Sequence, residues 1–403
     1  MKIGIIGAGL SGLTCAWYLK KNNIEDITIF ESSKKAGGKL KTDRLGGYQL
    51  DRGFQVLLPA YPETKKVLNY DKLQFQRFQK GALIYKNGKQ IPFYDPENGF
   101  KALLKTVVNG PGSILDKFVL LKLQWTLSRV SVADIFNSKK TISSLEYLRE
   151  LGFSERIIAD FWMPFYQGVF LENGLETDSR MLQFTFKMFA QAGAAVPKDG
   201  MEAIPVQLVD YIGADKIRFK TKVLHFNHKS ISTSDGKMEA FDKVVLACNL
   251  NKNVKYHSVT NNYYETQKLP INSKHIILNA NPNRVINNVV LMSNVAPNYA
   301  KNRNQLISVS ANGIHTDAAV FLRELKAIFG LEAANWKLVK SYTIREALPV
   351  INPEKKYKPT TPEGVFHCGD HLLQGSINGA MESGRRTAEA IIKETYTAKP
   401  ENL

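Results

Sequence analysis

The chain has 403 residues, of which 44% are hydrophobic and 23% are charged. A chain of this length can bury a large hydrophobic core, and we expect it to divide into two domains. It contains no run of about eighteen apolar residues, so a membrane-spanning helix is not expected. An apolar strand is predicted from residue 3, which leaves no room for a signal or transit peptide. A cytoplasmic location is therefore expected.

The charge balance is strongly basic, with 54 Lys and Arg residues against 37 Asp and Glu residues and a net charge of +17. Nucleic-acid binding would need basic residues gathered in a recognition motif, and none is visible, so no nucleic-acid partner is expected. The lysines are scattered, which is typical of a solvated surface. Weak attraction to an anionic membrane leaflet, with a membrane-peripheral location, is the alternative interpretation.

The three cysteines, Cys15, Cys248 and Cys368, have neither metal-binding nor redox spacing. Each lies within an apolar run, so we interpret them as small buried side chains. No metal site is expected, and unpaired thiols are typical of a reducing compartment.

Near the start of the chain, the first apolar run breaks into a glycine-rich turn and then a predicted helix. Gly7 would make the tight turn, Gly9 would let the backbone approach a pyrophosphate, and Gly12 would let helix and strand pack closely. The start of the helix, at Leu10 and Ser11, offers free N–H groups to phosphates. The spacing therefore predicts a dinucleotide site.

An acidic residue stands where a dinucleotide site requires one. Glu31 follows a second predicted strand, residues 27–30, and lies nineteen residues after Gly12. Its carboxylate can accept hydrogen bonds from a ribose, and it would repel the additional phosphate of NADP. An ordinary strand–helix–strand turn without a ligand is the alternative interpretation.

Residues 59–196 are predicted to be rich in helix. Ser143 and Glu146 form a capping-box pattern at the start of one helix. Residues 161–166 are an aromatic cluster broken by proline. Residues 114–127 are predicted to form a helix that combines large apolar residues with interspersed lysines. This helix is either packed on its neighbours in a substrate domain or lies in a membrane interface.

Strands are predicted again in the second half of the chain. Residues 234–237 are a hairpin-turn signal between alternating runs, and residues 244–247 are predicted to be a buried strand. Further strands are predicted at residues 275–278 and 305–310. Residues 317–329 are predicted to form a helix.

The last segment contains a short apolar strand that ends in Gly369 and Asp370 and leads through small residues into a helix. An aspartate at that position can hold a polyhydroxyl chain such as the ribityl group of a flavin. The helix N-terminus, near Ile377 and Asn378, would place its positive dipole where flavin reduction puts negative charge. These are the requirements of FAD rather than NAD.

On these motifs the chain resembles the flavin amine oxidase superfamily, with its monoamine oxidases, protoporphyrinogen oxidases and carotenoid desaturases such as phytoene desaturase. The resemblance implies that FAD is bound, and it adds residues to the expected site. These are Gly38 and Lys39 near the pyrophosphate, Gly53, Phe54 and Gln55 beside the flavin ring, and Val223 near the adenine.

The resemblance also implies an α/β fold with two domains. A Rossmann-like FAD-binding domain of the glutathione-reductase type is expected from residues 1–58, 197–250 and 360–403. An α+β substrate domain is expected from residues 59–196 and 251–359. The dinucleotide-binding sheet would then be assembled from three separated segments.

The activity implied by the resemblance is that of an FAD-dependent oxidoreductase, either an oxidase or a desaturase or dehydrogenase. In such enzymes a hydride passes from a small molecule to flavin N5. A second glycine-rich nucleotide motif is absent from the sequence, so reoxidation by oxygen or a quinone-like acceptor is expected. The covalent-flavin cysteine motif of the family is not visible, which predicts non-covalent FAD.

Lys274 and His371 are the candidate catalytic residues. By its distance after the strand at residues 244–247, Lys274 resembles the lysine that amine oxidases place near flavin N5. A solvent-facing lysine at a strand start is the alternative. His371 directly follows Asp370 and either faces the flavin ring or lies in a surface loop.

The large apolar and aromatic residues around Trp125 and Trp162 favour a bulky, hydrophobic small-molecule substrate. Two interpretations without catalysis remain open. In one, the chain is a non-catalytic FAD-binding protein. In the other, it is a membrane-peripheral partner protein whose basic surface is the functional feature.

Overall fold

The fold is built from two large sheets and the helices that cover them. The structure is a computed structural model and describes residues 1–94 and 110–397. The strands, in chain order, are β1 (Ile3–Ile6), β2 (Ile27–Phe30), β3 (Thr42–Leu45), β4 (Tyr48–Asp51), β5 (Gln76–Arg77), β6 (Gly81–Lys86), β7 (Lys89–Tyr94), β8 (Ala195–Val196), β9 (Ile217–Arg218), β10 (Val223–Phe226), β11 (Ser230–Thr233), β12 (Met238–Ala240), β13 (Lys243–Leu246), β14 (Tyr256–Thr266), β15 (Ile276–Asn279), β16 (Asn288–Val290), β17 (Gln305–Asn312), β18 (Lys337–Pro349) and β19 (Phe366–His367).

The helices, in chain order, are α1 (Leu10–Lys21), α2 (Pro62–Val67), α3 (Tyr70–Leu73), α4 (Ile114–Arg129), α5 (Val132–Asn137), α6 (Ser144–Glu150), α7 (Glu155–Ile157), α8 (Met163–Phe170), α9 (Ser179–Ala192), α10 (Ala203–Ile212), α11 (Met292–Val295), α12 (Ala318–Phe329) and α13 (Ile377–Thr397). One π-helical turn, Ile158–Trp162, leads directly into α8. None of the helices in the described part of the chain combines the length and hydrophobicity that crossing a bilayer requires.

The first large sheet is parallel and has the strand order β19-β13-β1-β2-β9. β1 lies near its centre and pairs in register with β2 and β13, so that Ile3 lies between Ile27 and Lys243. Both β1 and β2 are nearly continuous apolar runs, as expected for parallel strands covered on both faces. The strands come from the beginning, middle and end of the sequence. This arrangement confirms the predicted α/β fold class.

The second large sheet is mixed and has the strand order β18-β14-β17-β16-β15-β6-β7. β14 pairs antiparallel with both β17 and β18, while β15 and β6 are parallel. β6 and β7 form a hairpin whose turn places Asn87 and Gly88 at φ values of 49° and 76°. Residues 59–196 were predicted to be helix-rich, and that description is incomplete because they also supply these two strands.

Local sequence signals predicted several elements correctly. The turn at residues 234–237 joins β11 to β12 as a hairpin. Ser143 and Glu146 form both hydrogen bonds of a capping box at the start of α6. Asp317 caps α12 by accepting a hydrogen bond from the backbone N–H of Ala319. The turn and the two helix caps depend on hydrogen bonds between residues close in sequence, so these elements form regardless of how distant segments pack.

The mixed sheet separates two hydrophobic cores. Ile84, Leu278 and Leu306 face the larger core, which continues to the parallel sheet. Leu83 and Ile277, which are their neighbours in sequence, face a smaller core beneath α12. Alternate residues of a strand point to opposite faces, so one face of the mixed sheet is directed toward the predicted FAD-binding segments.

Two glycines let α1 lie unusually close to its neighbours. A Cβ atom on Gly12 would lie 2.2 Å from the carbonyl oxygen of Gly7, at the end of β1. A Cβ atom on Gly384 of α13 would lie 2.3 Å from the carbonyl oxygen of Ser11. α13 therefore crosses α1 at a distance that only glycine permits. This crossing brings the end of the chain back to its beginning.

The helix predicted at residues 114–127 is confirmed as α4. Leu123 and Leu127 are buried, and the Lys187 ammonium of α9 donates a hydrogen bond to the carbonyl oxygen of Leu127. One face of α4 is therefore packed on other helices, as one of the two interpretations expected. The opposite face carries large apolar side chains that are exposed.

Gly384→Ala is expected to lower the free energy of unfolding by about 1–3 kcal/mol, because the added methyl group meets the backbone of α1. Gly174→Ala is the matched control, since its Cβ would meet only the flexible Glu176 side chain. Urea denaturation of both variants measures the difference. A cost for Gly384→Ala no larger than that of the control would contradict the close crossing.

Asp116→Asn is expected to destabilise the protein at neutral pH by about 1.5–3 kcal/mol, the usual contribution of hydrogen bonds to a charged group. The Asp116 carboxylate accepts hydrogen bonds from the backbone and side chain of both Ser113 and Ser154. Burial alone would raise the pKa of Asp116, but these bonds outweigh burial and hold the pKa below the ordinary value of an aspartate.

Because the folded-state pKa of Asp116 is depressed, its contribution is present above the unfolded-state pKa and is lost as the pH falls through the folded-state value. The difference between wild type and Asp116→Asn should therefore be constant near neutral pH and shrink in strong acid. Asp134→Asn, at the same capping position of the exposed α5, is the matched control. An equal loss in both variants would argue against a special role for Asp116.

Candidate active site

The first part of the candidate site is the glycine turn between β1 and α1. Gly7 has a φ value of 109°, in the region that favours glycine. A Cβ atom on Gly38 would lie 3.1 Å from the Cα atom of Gly9, and the N–H of Gly37 donates a hydrogen bond to the Ala8 carbonyl oxygen. The two glycine-rich segments therefore meet and leave backbone atoms accessible between them.

Glu31 is held beside this turn. Its carboxylate accepts hydrogen bonds from the backbone N–H groups of Ala8, at 2.9 Å, and Ser33, at 2.8 Å. Each carboxylate oxygen can accept a second hydrogen bond, so both remain available to a ribose. The Glu31 N–H donates to the Arg218 carbonyl oxygen, which brings the segment leading to Val223 alongside.

Asp370 and Lys39 join the end of the chain to its beginning. The Lys39 ammonium lies 2.7 Å from the Asp370 carboxylate. The imidazole of His371 lies over Gly369, with Nδ1 3.9 Å from Asp370 Oδ1. Burial would raise the pKa of Asp370, but the nearby His371 ring and the Lys39 ammonium hold its pKa below the ordinary value. Asp370 is therefore ionised at neutral pH.

The segment expected beside the flavin ring is fixed from both sides. Gln55 donates a hydrogen bond from Nε2 to the carbonyl oxygen of Lys39, at 3.1 Å. Gly53 has a φ value of 94°, and a Cβ atom there would lie 2.8 Å from Ile344 of β18. The Phe54 ring packs edge to face against Phe78. The mixed sheet therefore contacts this segment directly.

The start of α13 lies next to Asp370. Ile377 is the first residue of the helix, and the Asn378 side chain is buried. Asn378 Oδ1 accepts a hydrogen bond from the Glu63 N–H at 3.1 Å, so this side chain anchors α13 to α2. The Ser383 hydroxyl accepts a hydrogen bond from the Gly369 N–H, at 3.0 Å. The segment that follows β19 is thereby tied to α13.

These residues fit the requirements of FAD. Gly9 and Gly38 form a narrow cradle that a Cβ atom would partly fill. Within the described part of the chain, Gln55 Oε1 and Gln374 Oε1 are buried acceptors without a hydrogen-bond partner. The carboxylate of Glu31 lies at the carboxyl end of β2, where a dinucleotide ribose is held in this fold class. The set could therefore hold a dinucleotide whose second half is a flavin.

Lys274 lies just before β15 and is exposed. Its carbonyl oxygen accepts a hydrogen bond from the Gln79 N–H, at 3.2 Å. Gln79 follows Phe78, and the Phe78 ring lies 6.2 Å from the Phe54 ring. Lys274 is thus linked through Gln79 and Phe78 to Phe54, in the segment that is expected beside the flavin ring. Its catalytic role stays a prediction.

Sequence reasoning did not find Tyr256, the first residue of β14. The Lys39 ammonium lies 5.0 Å from the centre of the Tyr256 ring. Burial raises the pKa of Tyr256, and the carboxylates of Asp370 and Glu346 raise it further. No local pattern marks this residue, because its contacts are made with segments far away in sequence.

Ser383 was also missed, although a signal was present. It lies among small residues in the first part of α13, where a hydroxyl nearly two turns into the helix can reach the preceding loop. Its hydrogen bond with Gly369 shows that it does so.

A comparison with protein families finds one match over almost the whole chain. Residues 10–392 match the family described as flavin containing amine oxidoreductase. The match includes Gly12, Glu31, Asp370 and nearly all of α13, and it begins directly after the glycine turn. It therefore covers each part of the candidate site described above except Gly7 and Gly9.

Individual relatives match only part of the chain. Over 277 residues the chain is 24% identical to protoporphyrinogen oxidase 2 of Arabidopsis thaliana, which covers 58% of this chain and 52% of that protein. Over 190 residues it is 26% identical to prenylcysteine oxidase 1 of Bos taurus, covering 40% and 36% of the two chains. A stretch of 52 residues is 44% identical to coproporphyrinogen III oxidase of Staphylococcus aureus, covering 13% and 11%. The matches thus span about half the length of these relatives or less.

Solved structures share the fold over its full length. Putrescine oxidase bound to putrescine superimposes with a TM-score of 0.71 at 16% identity, covering 97% of this chain and 99% of that chain. An oxidoreductase from Methanosarcina mazei gives a TM-score of 0.73 at 18% identity, covering 98% and 100%. At these identities the likeness concerns the fold. On the family match over nearly its whole length, the chain belongs to the flavin containing amine oxidoreductases.

Proposed function

We propose that the chain is an FAD-dependent oxidoreductase that removes a hydride from a small hydrophobic molecule. The observation that carries this proposal is that Glu31 and Asp370 follow the carboxyl ends of two strands, β2 and β19, of one parallel sheet. A ribose-binding acid alone would suit many dinucleotides, whereas a second carboxylate beside the start of α13 favours a flavin. FAD, when bound, supplies a ring that accepts the hydride with its electron pair.

In this proposal, each residue of the site contacts a different part of FAD. Glu31 accepts hydrogen bonds from the adenosine ribose, and Lys39 offsets the charge of the pyrophosphate. Asp370 accepts hydrogen bonds from the ribityl hydroxyl groups. The positive end of the α13 dipole stabilises negative charge near the pyrimidine end of the flavin. Phe54, packed on Phe78, excludes water from the ring.

Non-covalent attachment of FAD is supported by the state of the cysteines. Cys15 and Cys368 are fully buried, and burial raises the pKa of each thiol. Burial and the nearby Glu31 carboxylate raise the pKa of Cys248 to about 11. A thiol that stays protonated at neutral pH is a poor nucleophile, so none of the three is suited to form a flavin bond.

A hydrophobic substrate is supported by the interior of the proposed substrate domain. Phe161, Trp162 and Tyr166 form part of a continuous aromatic cluster beneath the mixed sheet. The names of the relatives refer to porphyrinogens and prenylcysteine, which are molecules with large apolar parts. Lys274 and His371 are the side chains proposed to lie near the reacting bond. Reoxidation by oxygen or a quinone-like acceptor completes the proposed cycle.

Oxidation of a cationic amine is a second candidate, and one cleft favours it. A cleft of about 400 Å³ opens beside Tyr256 and is lined in part by Glu172, Glu176 and His257. The carboxylates of Glu172 and Glu176 would attract a cation. The amine hypothesis therefore predicts that Glu172→Gln raises KM for amines and leaves KM for neutral substrates unchanged.

Anaerobic titration of the FAD-loaded protein distinguishes these functions. Loss of the oxidised-flavin absorption on adding coproporphyrinogen or another hydrophobic hydride donor supports the proposal. Loss on adding putrescine, with no response to the hydrophobic donors, supports the amine candidate. Reduction by dithionite but by neither class of substrate would favour a non-catalytic flavoprotein.

Glu31→Gln is expected to weaken FAD binding by about 1.5–3 kcal/mol, which is about a 10–150-fold rise in Kd. The amide retains one acceptor but loses the charge that strengthens each hydrogen bond. Fluorescence titration of the apoprotein with FAD measures Kd without a substrate. Glu25→Gln is the control, because it removes the same charge from an exposed glutamate. An unchanged Kd for Glu31→Gln would remove Glu31 from the site.

Asp370→Ala is expected to lower the FAD content of the purified protein, because it removes the acceptor proposed for the ribityl chain. Lys39→Met is expected to lower the FAD content as well, because Lys39 is proposed to offset the charge of the pyrophosphate. FAD retained after extensive dialysis is the measurement for both variants. If Asp370→Ala retains FAD as fully as wild type, the assignment of Asp370 is wrong.

A further inference from the structure

The outward face of α4 is an apolar surface of five side chains. Ile114, Leu115, Phe118, Leu121 and Trp125 retain 64%, 75%, 65%, 55% and 57% of their maximal exposure. All but Leu115 recur at spacings of four, three and four residues, so they form one stripe along the helix. Isolated exposed apolar residues are normal, but a contiguous group of this size marks a contact surface.

The same helix already has an inner face, so the outer stripe is not a misplaced core. Asp116, Leu123 and Leu127 are buried and lie on the side opposite the stripe. Lys187 of α9 donates hydrogen bonds to carbonyl oxygens at the end of α4, which holds the inner face in place. α4 is therefore apolar on two opposite sides, and only one side is covered by the described protein.

The charges along the stripe are basic. Lys122 and Arg129 are exposed at its margin, and the Arg129 guanidinium lies 3.7 Å from the centre of the Trp125 ring. Asp116 is the one acidic residue of α4, and it is buried on the inner side. The net charge of +17 for the whole chain also favours an anionic partner. An apolar stripe bordered by cations is complementary to a partner that has an apolar interior and anionic groups at its surface.

We propose that the outward face of α4 docks on an anionic lipid bilayer. α4 then lies parallel to the membrane plane, with the five apolar side chains among the upper acyl chains. The Lys122 and Arg129 side chains extend toward the headgroup phosphates, as long basic side chains do at interfaces. A second copy of this chain is a poorer occupant, because a symmetric contact through the stripe would bring the basic margins together.

The first test uses the FAD-loaded full chain and sedimentation with vesicles. Vesicles of phosphatidylcholine with phosphatidylglycerol should bind the protein, and vesicles of phosphatidylcholine alone should bind it more weakly. Replacing Leu115, Phe118 and Trp125 together by Gln should lower partitioning at least about tenfold. Replacing exposed residues elsewhere, Leu250, Leu331 and Leu338, together by Gln is the matched control and should leave partitioning unchanged.

Two further readouts identify the face and the charges. Of the four tryptophans, Trp125 is exposed and the other three are at most 8% exposed, so a blue shift of fluorescence on vesicle binding reports Trp125. Lys122→Gln and Arg129→Gln should each lower binding to anionic vesicles about fivefold at low salt, and less at high salt.

Several outcomes would overturn the proposal. These are no binding to anionic vesicles, binding unaffected by the triple Gln variant, or a monomer–dimer equilibrium that the variant abolishes without any lipid binding. The last result would show that the stripe joins two copies of the chain. Flavin absorbance of the same samples confirms that each variant is folded and loaded, so lipid binding and the proposed oxidoreductase function can fail independently.

Discussion

The candidate site depends on the close crossing of α1 and α13. Gly384 lies against the backbone of Ser11, so the two helices approach more closely than side chains would allow. This contact brings Asp370, near the end of the chain, to Lys39, near its beginning. The ion pair between them is partly exposed, with Lys39 42% exposed, and such pairs contribute about 0–1 kcal/mol. Helix packing therefore holds the two ends together, and the ion pair sets the electrostatics of the site.

The sequence predicted most of what local geometry determines. The glycine turn, Glu31 and the Gly369–Asp370 pair were readable because each motif combines a strand end, a tight turn and a helix start within a few residues. The hairpin of β6 and β7 was not predicted, although Asn87 and Gly88 at its turn are a hairpin signal. Its parallel pairing with β15 has no local signal in the sequence. That register is fixed by packing between segments nearly two hundred residues apart. Tyr256 was missed for the same reason.

The two interpretations of residues 114–127 concern opposite faces of one helix. Leu123 and Leu127 form the packed face that a substrate-domain helix requires, while Phe118 and Trp125 form the exposed face that an interfacial helix requires. Because the helix carries apolar residues on both sides, its sequence shows little amphipathic periodicity. The sequence therefore could not indicate which face is packed and which is exposed. If the face docks on a bilayer as proposed, the enzyme would meet hydrophobic molecules where they concentrate.

The central claim is that FAD is bound non-covalently between the two ends of the chain. The most direct measurement is the visible absorption spectrum of the purified protein, repeated on the supernatant after acid precipitation. Non-covalent binding predicts an oxidised-flavin spectrum at about one flavin per chain that moves entirely into the supernatant. Flavin that stays with the precipitate would contradict non-covalent binding. A colourless protein that also fails to take up added FAD would show that these residues do not form an FAD site.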